Sequence, residues 1–187
     1  MESQLRAHIE KTISLTDQEF DHVLSLFELN HFKKKEVLFE AGQKVEHSYY
    51  IVSGLLKLVF TDKDVNEHIV SFAMEDWWES DFQAFFMETK ASMSLTCLED
   101  TSVYCITLDN YWKLCDSVPK LERFLLKKSN MGFIGAQQRI LSLLTTNAKE
   151  RYEQLINQNP ELLQSVSKTQ LASYLGVSRE TLSRIFD

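Results

Sequence analysis

The residues best equipped for chemistry lie near the end of the chain, in the run Ser178-Arg-Glu-Thr-Leu-Ser-Arg-Ile-Phe-Asp187. At about 100° per residue, Arg179, Glu180, Ser183 and Arg184 share an arc of about 140°, and Leu182, Ile185 and Phe186 fall on the other side. One side anchors the helix and the other displays charge. A guanidinium can offer two N–H groups to guanine O6 and N7, and a carboxylate can accept from cytosine N4–H. Arg179, Glu180 and Arg184 are therefore the candidate base-reading residues. Ser167, Thr169, Ser178 and Thr181 stand at helix starts, where hydroxyls and free backbone N–H groups meet phosphates. An ordinary helical hairpin with solvated Arg and Glu would show the same spacing.

The elements that must position this face are legible upstream. Ser167 is a good N-cap for a helix carrying Leu171, Tyr174 and Leu175 on one stripe, and Gly176 follows where a left-handed residue ends a helix. Ser178 caps the next helix two residues later, and so tight a turn reads as a helix-turn-helix. Charge supports a division of labour. Residues 1–118 hold 10 Lys+Arg and 21 Asp+Glu, a net of −11, whereas residues 119–187 hold 10 and 6, a net of +4. The overall −7 thus conceals a basic segment that suits a nucleic-acid partner.

The 187 residues are enough for one or two domains, and 44% apolar content with only 5 Gly and 2 Pro places the chain among soluble globular proteins. No apolar run reaches the ~18 residues that span a bilayer, and MESQLRAHIEK lacks the pattern of a signal peptide. Cys97, Cys105 and Cys115 are an odd, widely spaced set that suits a reducing compartment. The cytoplasm is the expected location.

Thr16 and Glu19 form a capping-box pattern before Phe20, Val23, Leu24 and Phe27, which predicts a short opening helix from Leu15 to Phe27. From Glu28 to Leu108 the period is two. Val37–Phe39, Tyr49–Val52, Leu56–Phe60, His68–Phe72, Met93–Cys97 and Val103–Ile106 read as short strands between turns, the pattern of an antiparallel roll, sandwich or barrel. A short helix is expected at Asp81–Met87, another at Asp109–Asp116, and a long one from Pro119 to Leu144. Shorter helices follow, about Asn147–Asn157, Lys168–Tyr174 and Ser178 to the end. The long helix is apolar on more than one face, so one side should pack on its own domain and another on a partner helix. Leu121, Phe124, Met131, Gly132 and Gly135 are its candidate dimer residues, the glycines permitting close approach.

Ser178-Arg-Glu-Thr-Leu-Ser-Arg-Ile resembles the recognition helix of the cyclic-AMP receptor protein and fumarate–nitrate reduction regulator (Crp/Fnr) family. Val37-Leu-Phe-Glu-Ala-Gly-Gln and Tyr49-Tyr-Ile-Val-Ser-Gly-Leu-Leu-Lys-Leu are similar to that family's cyclic-nucleotide-binding β-roll. The resemblance runs over residues 15–187 and implies an α+β fold. It comprises an N-terminal antiparallel β-roll of jelly-roll type over 1–117, a dimerisation helix over 118–144 and a helix-turn-helix DNA-binding domain over 145–187. With the sequence ending at Asp187, the family's usual β-hairpin wing is missing, and fewer phosphate contacts are expected.

The resemblance also implies an effector pocket, for which the candidates are Trp77, Trp78, Glu79, Ser80, Lys90, Ala91 and Ser92. Family members that bind cyclic nucleotide carry Gly-Glu and then Arg-Ser. Here Glu79-Ser80 stands for Gly-Glu and Ala91 for Arg, with only Ser92 matching and Lys90 beside it. Glu75, Asp76, Glu79 and Asp81 should repel a phosphate. Tight binding of cyclic AMP is not expected. The aromatic residues nearby suit either another, apolar or cationic, effector or plain packing of the roll and its junction with the long helix.

Three scattered cysteines fall short of an iron–sulfur site, and His8, His22, His31, His47 and His68 lack metal-ligand spacing, so no metal or cofactor is expected. GxSxG, P-loop and GxGxxG motifs are absent, and no enzyme is expected. The reading is a homodimeric, sequence-specific transcription regulator on a palindromic operator in double-stranded DNA. RNA polymerase and an unidentified small-molecule effector are further candidate partners, with no membrane. The competing reading is a dimeric sensing or interaction module whose roll no longer serves DNA binding.

Overall fold

The computed structural model describes residues 1–186, with side chains through Arg184, so the anchoring expected of Ile185 and Phe186 lies outside the described side chains. The chain opens with α1 (Glu2–Glu10), an element the polar N-terminus did not announce. In α2 (Asp17–Ser25) Thr16 and Glu19 form the expected capping box. Eight strands follow: β1 (Glu28–Phe32), β2 (Val37–Phe39), β3 (His47–Ser53), β4 (Leu55–Thr61), β5 (Glu67–Met74), β6 (Trp78–Glu79), then, after α3 (Phe82–Met87), β7 (Ser94–Cys97) and β8 (Thr101–Thr107). They form two antiparallel sheets, β1-β8-β3-β6 and β2-β7-β4-β5, the jelly-roll arrangement expected. The runs at β1 and β6 are too polar or too short to stand out in the sequence.

The described chain ends in helices: α4 (Leu108–Ser117), α5 (Lys120–Thr145), α6 (Ala148–Gln158), α7 (Leu162–Ser165), α8 (Lys168–Leu175) and α9 (Arg179–Phe186). Pro119 precedes α5 as its N-cap residue, and Asn147 caps α6 through a box with Glu150. None of these helices is long and apolar enough to cross a membrane, among the described residues.

Alternation along the strands sorts the apolar residues into three layers. Tyr49, Ile51, Val103 and Cys105 of the first sheet meet Leu56, Leu58, Ala73 and Cys97 of the second in the roll's interior. Tyr50, Val52, Tyr104 and Ile106 face outward under α1, α2, α4 and the first turns of α5. Leu55, Val59, Ile69 and Phe72 face outward from the second sheet and are covered by the C-terminal helices. Ile69 and Phe72 are three residues apart yet share a face. The register slips between Leu58↔Ser71 and Val59↔Ile69, a bulge at Val70 that resets the alternation.

The long helix requires a correction. Leu121 and Phe124 are 0% and 1% exposed within the chain's own core, so neither is available to a partner. The uncovered face lies further along. Leu126, Phe133, Ile140 and Leu144 are all exposed and align within about 40° of one another, with Asn130 and Gln137 between them at alternating spacings of four and three. Gly132 and Gly135 fall roughly 120–180° from Leu126 and so lie off this stripe; neither has a neighbouring atom within 4 Å of a Cβ built on it. Met131 is exposed but lies about 140° around the helix from Leu126, so it too is off the stripe.

Gly54 turns the chain from β3 to β4 with φ +100°, and a Cβ there would meet Thr101 Oγ1 and lie 2.7 Å from the Asp100 carbonyl oxygen. Gly54→Ala is expected to destabilise the fold by roughly 2–4 kcal/mol, through backbone strain and a clash against backbone, read by chemical denaturation. A variant as stable as the parent would show that the β3–β4 turn is not held this way.

Candidate functional site

The helix pair at the C-terminus is built as its caps dictate. The Ser167 hydroxyl accepts from Gln170 N–H at 3.2 Å and Gln170 Oε1 accepts from Ser167 N–H at 2.8 Å, a complete capping box. Gly176 ends α8 in the left-handed region at φ +69°. Ser178 Oγ accepts from Thr181 N–H at 3.1 Å and starts α9. Leu182 is fully buried against Leu171, Leu175 and Leu155, which fixes the roll of α9 about its axis. The opposite side is free: Arg179, Glu180 and Arg184 are exposed and line one shallow open hollow with Ser183. The Glu180 carboxyl is held below its usual pKa, first by a hydrogen bond from its own backbone N–H and then by Ser178, so it stays an acceptor at neutral pH. Ser167, Thr169, Ser178 and Thr181 are exposed on the same two helix starts. The structure therefore brings together the residues that the spacing grouped.

The pocket candidates separate instead. Trp78 is a core residue: its Nε1–H donates to His8 Nε2 at 3.2 Å, and its ring lies 5.5 Å from Tyr50 and 6.4 Å from Phe124. This is the junction of the roll with α5, and Trp78 packs there, partly buried, against the core. Trp77 is half exposed, Lys90 is exposed and bridges strand-like to Lys44, and Ala91 is buried. Ser80 is buried, its hydroxyl donating to the His47 carbonyl at 3.0 Å.

The four carboxylates do not form one repulsive cluster. Glu75 accepts from Gln4 at 2.7 Å, and Asp76 accepts from Lys11 at 2.6 Å and from the Tyr50 hydroxyl at 2.7 Å. Both belong to the α1 side. His8 Nδ1 lies 3.3 Å from Asp76, but burial, and next the charge of Lys128, push the His8 pKa down to about 4. Glu79 and Asp81 face the other way and are buried. Glu79 accepts from the Ser71 hydroxyl at 2.5 Å and from Ser80 N–H at 3.0 Å. Burial pushes its pKa up to about 7.

Asp81 is fully buried, and its carboxylate gathers four donors: Ala84 N–H at 3.1 Å, Ser92 N–H at 2.8 Å, Ser92 Oγ–H at 2.9 Å and Met93 N–H at 3.3 Å. Ser92, the one position that matched the cyclic-nucleotide pattern, is thereby engaged by the chain's own anion. Spacing alone counted Asp81 among four negative charges. Its place as N-cap of α3 was the available signal for its real role. Among the described residues no group of three or more His, Cys, Asp or Glu side chains could hold a metal ion.

Residues 29–118 match the family model of the cyclic nucleotide-binding domain. The chain is 27% identical over 186 residues to the anaerobic regulatory protein of Haemophilus influenzae, an alignment that covers 92% of this chain and 71% of that one. It is 29% identical over 167 residues to the transcriptional activator protein Anr of Pseudomonas protegens, covering 82% and 67%. The solved structure of FixK2 from Bradyrhizobium japonicum superposes with a TM-score of 0.74 at 18% identity, covering 86% of this chain and 82% of FixK2, a likeness of fold.

Because the Glu79 pKa is raised in the folded state, its contribution to stability is present below the ordinary value of 4.5 and is lost as pH rises through about 7. At pH 8 a buried charge remains. Glu79→Gln should therefore melt several degrees above the parent at pH 8 and level with it at pH 5, a difference of up to about 3 kcal/mol. A gap independent of pH would place the carboxyl in solvent.

Proposed function

We propose that the chain is a Crp/Fnr-type transcription regulator that acts as a homodimer reading a palindromic operator in double-stranded DNA, a reading supported by its similarity to regulators of that type. The observation that carries the reading is the two-sided character of α9: Leu182 is locked inward and Arg179, Glu180 and Arg184 stand exposed on one hollow. A helix presented this way fits the major groove, with the two arginines and Glu180 at base edges. Ser167, Thr169, Ser178 and Thr181, at the starts of α8 and α9, supply phosphate contacts.

The exposed stripe of α5 supports the dimer. Four large apolar side chains with heptad-like spacing form a seam that water covers poorly, and a second copy of the helix matches it residue for residue. Asn130 and Gln137 on that seam pair best with themselves, which sets the register. In such a dimer the reading helices stand ~34 Å apart, one turn of the duplex. The roll at residues 1–117 then acts as the regulatory body, residues 118–144 as the coupling helix and residues 145–187 as the reading head, in the cytoplasm where the DNA is.

The roll is not built to hold cyclic AMP tightly. In relatives that bind the nucleotide, backbone N–H groups and an Arg hold the phosphate. Here the corresponding N–H groups of Ser92 and Met93 already serve Asp81, and Ala91 replaces the Arg. A phosphate would have to displace a covalently tethered carboxylate and sit beside it with no guanidinium in compensation, and like charges in a buried site repel strongly.

Titration of genomic fragments at several salt concentrations is expected to show specific binding with a steep salt slope. Arg184→Ala should lose ~1–3 kcal/mol of discrimination at one base position while keeping that slope. Binding to no fragment at any salt concentration would leave a dimeric sensing or interaction module. Calorimetry with cyclic AMP should give no saturable heat, and micromolar affinity would refute the account of Asp81.

A further inference from the structure

The reading head does not hang free at the end of α5. It is docked on the edge of the second sheet, where β5 has no neighbouring strand on one side. An edge strand leaves backbone groups unpaired, and burying them without partners is costly. Here the head supplies those partners. The Ser173 hydroxyl accepts from Ile69 N–H at 3.0 Å and donates to the Glu67 carbonyl at 2.6 Å.

Arg139 completes the junction. Its Nη2 donates to the Ile69 carbonyl at 3.1 Å and to the Tyr174 carbonyl at 2.8 Å. Its guanidinium carbon also lies 3.7 Å from the centroid of the Tyr174 ring, which in turn stands 5.1 Å from Phe72. The residue belongs to α5, Ile69 to the roll and Tyr174 to the head, so one planar cation touches three bodies. It lies about 140° around the helix from Leu126, away from the exposed apolar stripe. A partner helix on that stripe leaves the contact intact.

We infer that Arg139 is a positioning residue: it ties the lie of α5 to the orientation of the α8–α9 pair, through the Tyr174 carbonyl and ring on one side and the β5 edge on the other. The DNA consequence rests on the reading given under Proposed function. Docking presents the reading face and does not mask it, because Arg179, Glu180 and Arg184 remain exposed in the docked arrangement. Losing the junction lets the head move as a separate body, and binding then costs the entropy of re-orienting it. Lysine cannot substitute, since an ammonium lacks the planar fork that bridges two carbonyls while stacking on a ring.

The test uses the full chain with Arg139→Gln and Arg139→Lys. Hydrogen exchange, without DNA, is expected to rise at least tenfold at the Ile69 amide and across α8 in both variants, with amides around Phe124 unchanged and the mass in solution equal to the parent's. Operator affinity should fall about tenfold with the salt slope preserved, since the phosphate contacts are untouched. Unchanged exchange at Ile69 and α8 would overturn the inference. So would loosening that spreads equally to the Phe124 cluster, the mark of a merely structural role, or a gain in operator affinity, the mark of a mask. If the parent binds no DNA while the exchange pattern appears, the regulator reading fails and the junction stands.

Discussion

Neither sheet of the roll can leave its outer face wet. Tyr50, Val52, Tyr104 and Ile106 on one side, and Leu55, Val59, Ile69 and Phe72 on the other, are apolar residues pointing away from the roll's interior. Their burial, at roughly 25 cal/mol per Å² of apolar surface, requires a cover on each side. The first cover comes from α1, α2, α4 and the start of α5, and the second from the C-terminal helices. Those helices are therefore a structural layer of the roll, and their orientation is a property of the whole chain.

The same economy shapes the interior beside α3. A buried carboxylate is tolerated only when hydrogen bonds replace its hydration, and Asp81 has four. Glu79, with two donors and no cation, is instead displaced toward its neutral form. Two acidic residues two positions apart thus draw different numbers of donors, four for Asp81 and two for Glu79. In both cases the polar groups of this region are spent inside the chain. The roll matches the model of the cyclic nucleotide-binding domain, and the N–H groups of Ser92 and Met93 within it are already satisfied by Asp81.

Several elements were legible because their signals are local. Thr16 with Glu19, Ser167 with Gln170 and Asn147 with Glu150 mark helix starts through bonds spanning three residues, and Gly176 marks a stop through its own dihedral angle. The strands at Tyr49–Val52 and Leu56–Phe60 were recognisable from their β-branched and aromatic content. The polar strand β1, the two-residue β6 and the single turn α7 were not, because each exists only through a neighbour that pairs with it or covers it. Periodicity alone also could not say which face of the long helix belongs to its own domain. Leu121 and Phe124 look as sticky as Leu126 and Phe133, and only the position of the first sheet under the early turns separates them.

The order of residues by itself determined the two-sided character of the last helix, since about 100° per residue sets Leu182 on the other side from Arg179, Glu180 and Arg184. It also put Ala91 before Ser92, where the resembled pattern has Arg-Ser. Tertiary structure alone decided that Asp81 would collect Ser92 and Met93, that Glu75 and Asp76 would turn toward α1, and that Arg139 would reach across 70 residues of chain to Ile69 and 35 to Tyr174. The reason is one of range. Caps and helical faces arise from contacts within a turn, whereas a carboxylate's partners or a guanidinium's two carbonyls are set by how separate layers come to rest on each other.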